Sequence, residues 1–180
     1  MKNEAELKKY AEKEIGHIEE FVSYEESEER NVLLVKDKLG FTYKVTSSIQ
    51  NMIIDGTNFW TRVETSTTFD KEYYYWLYHQ VDLSKYSSLD ISISDGHTLN
   101  GPPYNINVKD ISSTSDSISD NCFALCEELI NELIRKSKEN YEIKSINLYI
   151  RNCEGTLLGT MDTTYPLTEG SIRYKTSETQ

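Results

Sequence analysis

Eight short segments that favour β-strands recur along this chain of 180 residues and limit its fold more than any other feature. β-Branched and aromatic residues are concentrated in these segments, and several segments alternate apolar and polar residues with the period of two expected for a strand. They lie at 18–24, 32–35, 41–45, 59–65, 89–94, 104–108, 143–150 and 157–161. Turn sequences at Lys38-Leu39-Gly40, Asp55-Gly56, Asp95-Gly96 and Glu154-Gly155 predict where the chain reverses.

Three other segments have helical periodicity. Residues 3–15 carry apolar residues three and four positions apart and are followed by Gly16, a helix stop signal. Residues 70–80 predict a short aromatic helix. The strongest signal lies at 120–138, with Ser119 or Asp120 available as the N-cap. We therefore predict an α+β fold: a mainly antiparallel sheet with an N-terminal helix, a short aromatic helix and one long helix near 120–138.

The length of the chain is that of one ordinary domain. We expect residues 1–180 to form a single α+β domain. A division into two halves, at about 1–80 and 81–165, is left open, because a helix followed by paired strands occurs in each half. Residues 166–180 are predicted to be a polar tail.

Charge excludes two classes of partner. The chain contains 19 Lys and Arg against 30 Asp and Glu, which gives a formal net charge of −11. Such a surface repels phosphate backbones and anionic lipid headgroups. We therefore expect no nucleic-acid and no membrane partner. The acidity favours solubility or attraction to a basic protein.

The first residues, MKNEAELKK, contain no apolar segment of the kind found in a secretory signal. Three cysteines, Cys122, Cys126 and Cys153, are too few and too unevenly spaced for a disulfide scaffold, which is typical of a reducing compartment. These observations predict a cytoplasmic location.

Motifs for catalysis and for cofactor binding are absent from the sequence. It contains no glycine-rich phosphate loop, no H-E-x-x-H or C-x-x-C pair and no G-x-S-x-G elbow. The three histidines, His17, His79 and His97, lie far apart in the sequence. We therefore expect no cofactor, no metal site and no catalytic residue.

An acidic segment stands out from this background. Residues 1–30 contain ten Glu and five Lys or Arg, and the glutamates are concentrated at Glu19, Glu20, Glu25, Glu26, Glu28 and Glu29. One interpretation is a solvated edge strand that like charges protect from aggregation. The other is a docking surface for a basic protein, because complementary charge accelerates association.

The second notable feature is the aromatic run at residues 73–78. Its side chains would cover more than half of a helix surface, so some of them should reach solvent, where tyrosine and tryptophan make good interface anchors. We name Tyr74, Tyr75 and Tyr78 as candidate partner contacts. The alternative is that Tyr73 and Trp76 pack inside while the other tyrosines lie flat on the surface.

The leading helix, the run LGFTYKV at 39–45, the sequence IDGT at 54–57 and the run FDKEYYYW at 69–76 resemble small acidic α+β proteins of low-GC Gram-positive bacteria. Some of these are similar to immunity proteins, which neutralise toxins of contact-dependent or secreted polymorphic systems. The resemblance covers residues 3–80 and assigns no functional residue. It implies a cytoplasmic, non-enzymatic protein that binds one cognate toxin domain, often a basic nuclease.

Three functions follow as hypotheses. The first is an immunity-like binding protein with a basic protein partner. The second is a structural module, encoded by a phage or located outside the cytoplasm, in which acidity serves solubility alone. The third is a hydrolase whose site is assembled from scattered Asp, Glu or His residues such as His79.

Overall fold

The predicted α+β class is confirmed, but the strands are distributed over two sheets. The structure is a computed structural model that describes residues 1–54, 58–95, 104–143, 145–163 and 173–176. Within these ranges the chain forms two compact units, Met1–Tyr73 and Tyr74–Gln180. The division falls inside the aromatic helix, a few residues before the position near 80 named from the sequence.

The first unit is a helix followed by an antiparallel meander. Helix α1 (Glu4–Glu14) precedes strands β1 (Ile18–Glu26), β2 (Arg30–Asp37), β3 (Thr42–Ile54) and β4 (Asn58–Thr67), which pair in that order. The capping box of Asn3 and Glu6 satisfies backbone donors at the start of α1. Gly16 ends the helix with a φ of 72° and donates its N–H to the Ala11 carbonyl.

Packing of α1 on one face of this sheet forms the core of the first unit. Leu7 and Ala11 of the helix are buried against side chains of β2 and β3, namely Leu33, Val35, Tyr43 and Val45. Helix α2 (Phe69–Tyr78) follows β4, and Phe69 at its start lies edge-on to the Tyr43 ring, with centroids 5.2 Å apart. The face of the sheet that carries Tyr43 is therefore covered by apolar groups.

The second unit contains a mixed sheet. Strands β5 (Leu89–Asp95), β6 (Tyr104–Asp110), β7 (Ile146–Arg151), β8 (Leu157–Thr163) and β9 (Arg173–Thr176) pair in that order. Strands β6 and β7 are parallel, and helix α3 (Asp120–Lys138) forms the crossover that such a pair needs. Of the two predicted caps, Ser119 and Asp120, it is Ser119 that caps α3 by accepting from the Cys122 N–H.

Most boundaries lie within a few residues of the predicted ones. The expected turns at Asp55-Gly56 and Gly96 lie outside the described residues. The strand expected at 143–150 begins at Ile146 instead. Residues 173–176, inside the predicted polar tail, form β9. No helix in the described residues is long and apolar enough to cross a membrane.

Two buried tyrosines provide a matched test of this core. The hydroxyl of Tyr43 has no hydrogen-bond partner among the described residues, whereas that of Tyr86 donates to Glu132 Oε2 at 3.2 Å. Because an unsatisfied buried hydroxyl is costly and a bond to a carboxylate is favourable, the same substitution should have opposite effects. We expect Tyr43→Phe to leave the free energy of unfolding unchanged or raise it by up to about 1 kcal/mol, and Tyr86→Phe to lower it by about 1–2 kcal/mol. Urea denaturation measures both, and equal destabilisation would contradict the assignment.

Alkaline pH should destabilise the first unit through Tyr43. Burial, together with the Asp37 carboxylate, raises the pKa of Tyr43 from 10.0 to about 12. The folded state resists ionisation, so this stabilisation is complete below the ordinary pKa and is lost as pH rises from about 10 to about 12. Urea denaturation across that interval should show a smaller loss of stability for Tyr43→Phe than for the unsubstituted chain. Identical slopes would show that Tyr43 does not contribute.

Candidate functional site

Two bulges give strand β1 a burial period of three. The pairing of β1 with β2 shifts by one residue between Ile18 and Glu20 and again between Phe21 and Ser23. Each shift adds one residue to β1, so every third side chain turns toward the core. Ile18, Phe21 and Tyr24 are the half-buried residues that pack there. The two residues after each of them are exposed.

This geometry places all six predicted glutamates at the surface. Four of them occupy outward positions of β1, and the other two lie at the tip of the turn into β2; the six are Glu19, Glu20, Glu25, Glu26, Glu28 and Glu29. We call these six residues the acidic edge. The turn is closed by Ser27, whose N–H and hydroxyl both donate to the Arg30 carbonyl.

Cations near the acidic edge are few. Among the described residues only Glu19 of the six forms a salt bridge, with Lys36 Nζ at 3.0 Å. Lys8 of α1 is already engaged, because it pairs with Glu4 at 2.7 Å and lies 5.2 Å from the centroid of the Phe21 ring. The field of the acidic edge is therefore only partly neutralised within the unit.

Two open grooves flank β1 where it meets α1. One, of about 500 Å³, is lined by Asn3, Glu4, Ala5, Lys8, Tyr24 and Glu26. The other, of about 450 Å³, includes Glu12, Glu19, Glu20 and Lys38 in its lining. Each groove brings carboxylates from the helix and the strand together, which suits the insertion of a lysine or arginine side chain.

Tyr24 is a residue of this surface that the sequence analysis missed. Its hydroxyl is buried without a hydrogen-bond partner in the described part of the chain, beside the first groove. Burial, and then the Glu26 and Glu4 carboxylates, raise the pKa of Tyr24, so it stays a neutral donor. The sequence feature that indicates its burial is the spacing of three residues from Ile18 to Phe21 and from Phe21 to Tyr24. A regular strand alternates with a period of two and does not predict this spacing.

The aromatic helix contributes less surface than predicted. Tyr78 is buried and its hydroxyl donates to the Ile91 carbonyl at 3.0 Å. Tyr74 is half-buried and its hydroxyl donates to the Ser145 carbonyl. Of the three tyrosines only Tyr75 is exposed, at 46%, with its ring centroid 4.3 Å from that of His79. Both hydroxyls are thus bonded within the second unit, and the assignment of Tyr74 and Tyr78 as partner contacts stays a prediction.

A buried cluster near the start of α3 is the other concentration of reactive groups. The Asp110 carboxylate accepts two hydrogen bonds from Ser112, one from its N–H at 3.0 Å and one from its hydroxyl at 2.6 Å. Cys122 and Cys126 lie beside Asp110, and both are buried. The hydrogen bond between the two thiols, and then burial, raise the pKa of Cys126. A thiol held protonated in a core is a poor nucleophile. In the described ranges no three His, Cys, Asp or Glu residues lie close enough to hold a metal ion.

Comparison with models of known protein families, with curated proteins and with solved structures found no match for this chain. The geometry of the two units is therefore the basis for the function proposed below.

Substitution of two tyrosines of α2 by alanine should distinguish the buried position from the exposed one by its effect on stability. We expect Tyr78→Ala to lower the free energy of unfolding by about 3–5 kcal/mol, because it empties a buried site. Tyr75→Ala should change it by less than about 1 kcal/mol, because Tyr75 is 46% exposed and its removal empties no buried site. Thermal and urea denaturation give both values. A large loss for Tyr75→Ala would place its ring in the core.

Proposed function

We propose that this chain is a non-enzymatic binding protein that sequesters one basic protein partner through the acidic edge, in the manner of an immunity protein. The observation that carries the proposal is the bulged β1 strand, which turns Ile18, Phe21 and Tyr24 inward and leaves its glutamates exposed. A regular alternating strand would turn some of these carboxylates toward the core.

The arrangement suits both phases of association. The exposed carboxylates attract a cationic surface over about a Debye length, roughly 8 Å at physiological salt, and so raise the rate of encounter. The shallow grooves beside Tyr24 and beside Glu19 then offer carboxylates from both α1 and β1 to a lysine or arginine side chain. Tyr24 lines the first of these grooves, and its neutral hydroxyl is buried beside it.

A toxin domain with a cationic active site is the partner class that we favour, because an exposed acidic edge is complementary in charge to such a site. We place the protein in the cytoplasm, where its cysteines, Cys122, Cys126 and Cys153, would stay reduced; all three are free thiols. Tyr75 of the second unit is 46% exposed and stays a predicted contact.

Neutralising the acidic edge tests this proposal against a control of equal charge. The test variant carries Glu25→Gln, Glu28→Gln and Glu29→Gln, and the control carries Glu128→Gln, Glu142→Gln and Glu154→Gln in the second unit, where all three residues are exposed. Each variant and the unsubstituted chain serve as bait in an extract of the source organism, and mass spectrometry identifies the captured protein. Biolayer interferometry with that purified protein then gives association and dissociation rates at two salt concentrations.

We expect one stoichiometric basic protein, with an association rate that falls as salt rises and drops about tenfold in the test variant. The control should keep the rate of the unsubstituted chain. Equal losses in both variants would mean that net charge alone acts and that the acidic edge is not the docking surface. Capture of no stoichiometric protein by any bait would contradict the proposed function.

A further inference from the structure

Strand β4 forms the second edge of the first sheet and is built differently from β1. It lies at the end of the strand order and pairs with β3 over ten consecutive positions without a register shift. Its residues 61–64, 66 and 67 are exposed and Thr65 is half-buried. A long, regular edge without bulges is a template for a further strand.

The outward hydrogen-bonding groups of β4 can be assigned from its pairing with β3. The Thr68 N–H donates to the Lys44 carbonyl at 2.9 Å, so this opposed pair is a hydrogen-bonded one. Hydrogen-bonded and non-hydrogen-bonded pairs alternate along an antiparallel ladder. Thr61, Val63 and Thr65 are therefore non-hydrogen-bonded to β3, and their N–H and C=O groups point away from the sheet.

Charges on β4 are arranged to match a second copy of the same strand. Arg62 and Glu64 flank Val63, and all three are exposed. When two β4 strands run antiparallel about a two-fold axis at Val63, Arg62 of each copy lies opposite Glu64 of the other. These are non-hydrogen-bonded pairs across the new contact, the type with closer side chains. The nearest alternative registers, centred on Arg62 or on Glu64, place like charges opposite each other.

On the face of β4 opposite to Arg62 and Glu64, apolar residues of the two copies also meet. Val63 is 49% exposed, and Ile49, its directly opposed neighbour on β3, is 38% exposed. A two-fold axis at Val63 joins these residues into one row of four, Ile49 and Val63 from each copy. The same register pairs residues 59–67 of each strand, which is nearly all of β4.

We propose that β4 is a homodimerisation edge, at which two copies pair antiparallel about Val63 and their four-stranded sheets join into one of eight strands. Backbone hydrogen bonds from Thr61, Val63 and Thr65 supply the contact. The Arg62–Glu64 pairs select the register. The proposal is independent of partner binding at the acidic edge, because β1 and β4 are opposite edges of the sheet.

Reversal and exchange of two charges test the register. Sedimentation velocity over a wide concentration range gives the oligomeric state and its dissociation constant. For the unsubstituted chain we expect reversible conversion to twice the monomer mass of 20.9 kDa. Arg62→Glu and Glu64→Arg, each alone, should raise the dimer dissociation constant at least about tenfold, because each opposes like charges twice in the dimer. The double exchange Arg62→Glu with Glu64→Arg should restore it.

Val63→Lys gives a second test, because it places two cations at the two-fold axis and should leave a monomer. Its matched control is Ile111→Lys, also a substitution of an exposed apolar residue, at 53% exposure, which should stay dimeric. Circular dichroism verifies that each variant is folded. A chain that is monomeric at every concentration, a dimer unaffected by the single substitutions, a folded double exchange that stays monomeric, or Ile111→Lys that dissociates would each overturn the proposal.

Discussion

An open sheet has to deal with the hydrogen-bonding groups along its two edge strands, and the first unit of this protein depends on how it does so. Its core is a single layer of side chains between α1 and strands β1 to β3, and within the described residues of that unit no further strand pairs with β1 or β4. One edge is bulged and strongly acidic. The other is regular, with one cation, one anion and an apolar residue between them. The same structural constraint thus produces two surfaces of opposite character.

The bulges of β1 connect stability to surface chemistry. By inserting a residue twice, the strand keeps Ile18, Phe21 and Tyr24 on the core while its glutamates stay in water. Like charges at an edge discourage another strand from pairing there, so the protective interpretation of the glutamates and the docking interpretation are compatible. An edge that rejects strands can still accept cationic side chains.

Periodicity in the sequence was sufficient where one face of an element decides its burial. The helix at 120–138 was predicted from its apolar stripe and a cap at Ser119 or Asp120, and the hairpin turn at Gly40 from its turn sequence. Two features depend on contacts between distant residues and could not be predicted in this way. The parallel pairing of β6 with β7 and the division into two sheets come from which strands meet, and local patterns do not record that.

The candidate site was predictable in part for the same reason. Glutamates are costly to bury, so their exposure followed from their chemistry alone. Tyrosine is ambivalent, with an apolar ring and a polar tip, so its location depends on whether a backbone acceptor lies within reach. The Tyr78 hydroxyl donates to the Ile91 carbonyl and the Tyr74 hydroxyl to the Ser145 carbonyl. Neither acceptor can be identified from the sequence of the aromatic run. Tyr24 was missed because the bulges convert a period of two into three.

In a dimer joined through β4, the acidic edges of the two copies would lie far apart. The sheet of that dimer would place the two acidic edges seven strand spacings apart, roughly 34 Å at about 4.8 Å per spacing. That separation exceeds the Debye length of roughly 8 Å several times, so repulsion between the acidic edges would oppose pairing only weakly. Each acidic edge would also stay open to its own partner. An acidic β1 and a self-complementary β4 are therefore compatible, because the like charges lie on the two outermost strands of the eight-stranded sheet.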